Sequence, residues 1–103
     1  MLKRVIDAME KIAPLSLAET KWDNVGLLIE APFPRHAAKK IMLTIDLTSS
    51  VLNECIKDQN VGVIIAYHPP LFKPFKRLVL TDENQKIALI CASSGLIFIK
   101  III

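Results

Sequence analysis

Two cysteines and three glycines are all that the 103 residues hold of either type. So little cysteine excludes a disulfide scaffold. Cys55 and Cys91 both fall on apolar faces of predicted helices, which reads as two reduced core thiols; a disulfide or a reactive thiol is the alternative. The sequence has no glycine-rich phosphate loop, no C-x-x-C pair, no paired-histidine helix motif and no nucleophile elbow. No apolar run approaches the ~20 residues of a membrane helix, and the run at 96–103 is broken by Lys100. Met1, Leu2, Lys3 and Arg4 lead into neither an apolar h-region nor a small-residue cleavage site, so no secretory signal is expected. Reduced thiols without such a signal point to the cytoplasm, with a nuclear or mitochondrial pool left open. Internal repeats and low-complexity tracts are absent.

An excess of charge is also missing. Thirteen basic residues stand against 10 acidic ones, for a net +3. The basic residues are scattered, apart from Lys39 and Lys40 and the group Lys73, Lys76 and Arg77. No basic stripe or known module argues for a nucleic-acid partner.

What is present is a folding domain: 52% of residues are hydrophobic and 22% charged. Leu2, Val5, Ile6, Met9 and Ile12 recur at helical spacing, and Pro14 ends that helix. A polar connector, 16–24, follows. Residues 25–29 read as a short buried strand and 40–46 as a second; the prolines at 32 and 34 make a loop between them. Thr48 or Ser49 caps a second helix with the stripe Val51, Leu52, Cys55 and Ile56, fading by 58–60. Residues 61–67 form a nearly continuous apolar run, typical of a parallel strand covered on both faces. The helix between the second and third strands fits a βαβ crossover. After a proline-rich segment, a third helix runs over 82–93 from a Thr81 or Asp82 cap. Its inward residues are Ile87, Ala88, Ile90 and Cys91, and Gly95 follows as the C′ residue. A fourth strand, 96–99, leads into an apolar end that reads as an exposed strand open to pairing with another chain. The class is α/β: a mainly parallel sheet of about four strands with three helices, in one domain.

Open parallel sheets bind ligands beyond the carboxyl ends of their strands. Asp46 ends the second strand and His68 the third, so neighbouring strands would place both side chains in one crevice. Pro69 and Pro70 stiffen the backbone beside His68, which suits a metal ligand or a general base. The plainer reading is a histidine that closes its strand with a backbone hydrogen bond. Asp46 reads equally as a capping or turn residue before the second helix. His36 reads as solvated. Trp22, Asp23 and Asn24 read as a structural tie, with the indole in the core and the polar pair on the backbone.

Taken together, three segments resemble the NGG-one-interacting-factor-three family, whose members are often labelled GTP cyclohydrolase 1 type 2 homologues. They are Trp22 through Leu28 with Asp23, Asn24 and Gly26; Leu43 through Thr48 with Asp46; and Tyr67 through Pro74, followed by Lys76 and Arg77. The likeness runs from residue 1 to about 97. It implies a three-layer α/β fold around a dinuclear metal centre (zinc, iron or manganese), assembled as a ring-like homo-oligomer. It carries His68 over as a metal ligand. Tyr67 stands where bacterial members place a first histidine, leaving at most a hydroxyl at that position. It implies metal-dependent hydrolysis of a phosphorylated or nucleotide-like substrate, with Lys73, Lys76 and Arg77 steering the anion. It also implies, as an alternative, a non-catalytic role as partner of transcriptional coregulators. Family members continue into a Ser-Pro-His-Thr word and later Asp, His and Glu ligands, whereas 98–103 here is an atypical tail. The resemblance therefore reads the chain as an N-terminal part lacking most metal ligands, with weak metal binding or none of its own, or as an inactive truncated fragment.

Overall fold

The computed structural model describes residues 2–12, 26–68 and 76–101. The elements are α1 (Leu2–Ile12), β1 (Gly26–Ile29), β2 (Lys40–Asp46), α2 (Ser49–Lys57), β3 (Val61–His68), α3 (Glu83–Ser93) and β4 (Ile97–Lys100). The sheet order is β1-β4-β3-β2. β2 and β4 both run parallel to β3, and β1 closes the far edge antiparallel to β4. The sheet is thus mixed but mostly parallel. The segments β2–α2–β3 and β3–α3–β4 are the two helical crossovers that parallel neighbours require.

Two apolar cores lie on opposite faces of the sheet. Leu52 and Cys55 of α2 and Ile87, Ala88 and Cys91 of α3 pack with Ile64, Ala66 and Phe98 on one side. Val5 of α1 packs with Val63, Ile65, Ile97 and Ile99 on the other. The pleat explains the split, because alternate residues of β3 and β4 face opposite ways. Burial from Val61 through Ala66 and along all of β4 agrees with strands covered on both faces.

Helix boundaries follow from side-chain caps. Thr48 Oγ1 accepts from Val51 N at the start of α2, and Asp82 Oδ1 accepts from Gln85 N at the start of α3. Ser49 Oγ donates to Glu83 Oε1 at 2.6 Å and ties the two helix starts together. Gly95, at φ +79°, turns α3 into β4. A Cβ there would lie 2.9 Å from the Phe33 carbonyl oxygen, so this turn has room only for glycine.

Three expectations need correction. The segment beginning at 96 is not an exposed strand: β4 lies between β1 and β3, and Ile97 through Lys100 are buried. A short apolar strand flanked by apolar neighbours gains more from the centre of a sheet than from its edge. The stripe of α1 is narrower than its spacing suggested. Val5 is buried and Leu2 and Met9 pack beside it, but Ile6 and Ile12 are exposed. β1, expected as a buried strand, buries only Ile29 and leaves Leu27 exposed, whereas Ile90 of α3 packs against the core as its spacing suggests.

Arg35 is the main structural residue that periodicity could not reveal. Its guanidinium donates to the carbonyl oxygens of Cys55 (2.8 Å), Asp58 (3.1 Å) and Val61 (3.0 Å), and more distantly to that of Ile56. Its Nε donates to the Ser94 carbonyl oxygen at 2.9 Å. The last carbonyls of a helix lack intrahelical donors, and one planar fork serves the ends of both α2 and α3. Arg35→Met should destabilise the fold by about 2–4 kcal/mol in urea unfolding, and Arg35→Lys should recover little of it because an ammonium cannot span the same carbonyls.

The thiols of Cys55 and Cys91 are both free and buried. Burial pushes both thiols up, that of Cys91 to about 12. Both should therefore resist iodoacetamide at pH 8 in the folded chain and alkylate fully in denaturant, as read by mass spectrometry.

Candidate functional site

The β2–β3 register sets Asp46 directly beside His68. The two side chains meet, with His68 Nδ1 and Asp46 Oδ1 at 2.6 Å. Both remain more than half exposed at the carboxyl end of the sheet. An ionised carboxylate can only accept, so Nδ1 carries the proton in this contact. The neutral imidazole then keeps its lone pair on Nε2, the tautomer a metal ligand or a base uses when a carboxylate orients the ring.

Local chemistry leaves the Asp46 carboxylate available for this contact. The backbone oxygen of Asp46 accepts from Thr48 N at 3.2 Å and from Thr44 Oγ1 at 2.8 Å. Thr48, not Asp46, caps α2. The turn and the cap are therefore made by other groups.

The other residues singled out from the sequence are placed as follows. Tyr67 is exposed next to His68, and strand alternation sends its side chain to the opposite face. Lys76 and Arg77 are exposed on the segment leading to α3, and no hydrogen bond or ion pair joins them to Asp46 or His68. Gly26 opens β1 at φ 85°. Lys73, Trp22, Asp23 and Asn24 lie outside the described residues. His36 is exposed and lines, with Glu30, Arg35 and Gly62, a pocket of ≈ 190 Å³ at the amino ends of β3 and β4, the far rim from His68.

Among the described residues, the donors at this rim that fit a divalent ion are one oriented imidazole and the carboxylate behind it. Among the described residues no three His, Cys, Asp or Glu side chains converge, whereas a protein metal site ordinarily takes three or four.

Imidazole nitrogen shifts in a ¹⁵N-labelled chain should show His68 protonated on Nδ1 at neutral charge, with His36 showing no such bias. Asp46→Ala should remove that bias from His68. An unbiased His68 in the unmodified chain would mean the contact does not persist in solution.

The family profile described as Duf34/NIF3 (NGG1p interacting factor 3) matches residues 1–100. The chain is 44% identical over 95 residues to the Protein NIF3 homolog of Schizosaccharomyces pombe, covering 92% of this chain and 33% of that protein. It is 39% identical over 83 residues to NGG1-interacting factor 3 of Saccharomyces cerevisiae, covering 75% of this chain and 28% of that one. Among solved structures it superposes on a Bacillus cereus protein related to NIF3 with a TM-score of 0.79 at 27% identity, over 96% of this chain and 26% of the other. The chain thus spans about a third of the length of such relatives. With a profile match over nearly its whole length, the chain belongs to the Duf34/NIF3 family.

Proposed function

We propose that the chain is the N-terminal part of a dinuclear-metal-binding protein, and that its own contribution is one oriented imidazole, His68, with Asp46 as the carboxylate behind it. The observation that carries this reading is the 2.6 Å contact that occupies Nδ1 and leaves Nε2 for a cation. The proposed activity of the whole protein is metal-dependent hydrolysis of a phosphorylated or nucleotide-like substrate. A divalent ion would supply Lewis acidity there. His68 would hold such an ion through its Nε2 lone pair, Asp46 holds the ring, and Lys76 and Arg77, with Lys73 outside the described residues, would offer positive charge to an anion. A second reading, a protein-interaction role without catalysis, draws on the name of the Saccharomyces cerevisiae relative, NGG1-interacting factor 3.

Titration with Mn²⁺ tests the first reading on the chain itself. Paramagnetic broadening should reach the His68 ring at lower metal concentration than the His36 ring, and Asp46→Asn should erase the difference. Equal broadening of the two rings in the unmodified chain, or no effect of Asp46→Asn, would remove the support for an oriented ligand.

A further inference from the structure

The described helices leave part of the α1 face of the sheet bare. A helix about 10 Å across covers roughly two strands set ~4.8 Å apart. α1 takes β3 and β4, where Val5 packs with Val63, Ile65, Ile97 and Ile99. The same face of β2 carries Ile41 and Leu43, in register with Val63 and Ile65, and by alternation Ile45. These three side chains are 43%, 73% and 62% exposed. A contiguous apolar row rimmed by charge is the usual mark of an interaction surface.

Charge is laid along this row in one direction. At its start an open groove of ≈ 610 Å³ is lined by Arg4 and Val5 of α1, by His36, Ala38 and Lys39 of the loop before β2, and by Ile41. Val5 and Ala38 are buried and form its floor, whereas Arg4, His36 and Lys39 are exposed. Lys40 is spent on Asp58 at 2.9 Å and Arg35 on backbone carbonyls. Among the described residues no hydrogen bond or ion pair holds the side chain of Arg4 or Lys39. The row ends one residue before Asp46, and past His36 the adjoining pocket is lined by Glu30. A negative group on a partner is therefore attracted between Arg4 and Lys39 and repelled at either side of them.

We propose that this surface docks an acidic amphipathic helix of a different protein, laid beside α1 over the β2 row. The apolar stripe of the helix covers Ile41, Leu43 and Ile45, and acidic residues at one of its ends meet Arg4 and Lys39. The strand from Ile41 to Ile45 is ~13 Å long, which about nine residues of helix match. A small molecule fits the groove poorly. Ligand pockets enclose most of their ligand, whereas four of the six residues lining this groove are exposed. Single-stranded nucleic acid calls for aromatic platforms under its bases, and the apolar side chains here are all aliphatic. The proposal rests on the interaction reading given above, to which it adds a surface and a partner class, and it uses neither His68 nor a metal.

Fluorescence anisotropy with labelled synthetic helices tests it on the full chain. The probe is a peptide of about 16 residues with glutamates in its first turn and one leucine stripe along the rest. One control scrambles the stripe at the same composition, and another replaces the glutamates with lysines. The probe should bind, more weakly as salt rises, and both controls should bind ~tenfold more weakly or worse. Arg4→Glu, Lys39→Glu and Leu43→Ser should each weaken probe binding ~fivefold or more, with unchanged circular dichroism spectra because all three side chains are exposed. Probe binding that ignores these substitutions overturns the groove and leaves the interaction reading standing. Equal binding of the scrambled peptide overturns the proposal. So does tight binding of oligothymidine or phosphatidylserine vesicles that depends on Arg4 and Lys39 but not on Leu43, which would make this a general polyanion surface. A dimer of the chain, seen by sedimentation, that excludes the probe also overturns it. Binding of none of the peptides overturns both the groove and the interaction reading.

Discussion

The pairing of β2 with β3 is the constraint from which the candidate site follows. In a parallel ladder a shift of one residue turns every side chain of the strand to the other face. Here the register is held by burial, because Met42 must join the core beneath Ile64 and Ala66. Once those positions are set, Asp46 stands beside His68 with no further adjustment. The ring and the carboxylate are exposed and contribute little stability of their own. It is the apolar register several residues earlier that brings them within 2.6 Å.

A second constraint works at the other end of the sheet. Arg35 lies in a loop between two strands, yet its guanidinium serves the carbonyl ends of α2 and α3 and the first residue of β3. The crossovers on that face therefore share one anchor. The same loop presses on Gly95, where the absence of a side chain lets the Phe33 carbonyl approach. The Arg35 charge at this rim is committed to structure. The opposite rim, where strands end in Asp46 and His68, has polar groups that the fold does not consume. This asymmetry is what an open α/β sheet with a site beyond its carboxyl edge is expected to show.

Family membership and site completeness are separate matters in this chain. The profile match over residues 1–100 and the likeness to the Bacillus cereus protein concern the layout of helices and strands. A metal centre concerns convergent donors, and among the described residues only one imidazole and its carboxylate are poised at the rim. The chain spans about a third of the length of such relatives. The fold orients one imidazole at the rim, and among the described residues no third His, Cys, Asp or Glu joins it there.

Much of this was legible in the linear order of residues. Helical spacing marked α2 and α3, the continuous apolar run marked β3, and the pairs Thr48 or Ser49 and Thr81 or Asp82 marked where helices start, since each of these signals is local; the structure uses Thr48 and Asp82. The residues at 46 and 68 were also legible as strand ends. Their contact was not, because it depends on which strands are neighbours. The order β1-β4-β3-β2, the antiparallel seat of β1 and the interior position of β4 are likewise non-local, set by which apolar faces cover one another. For the same reason α1 keeps only part of its stripe against the sheet, and Ile12 remains 76% exposed. Arg35 left no trace in any periodic pattern: its role comes from backbone carbonyls contributed by three other segments, and a chain reveals such partners only when it has folded around them.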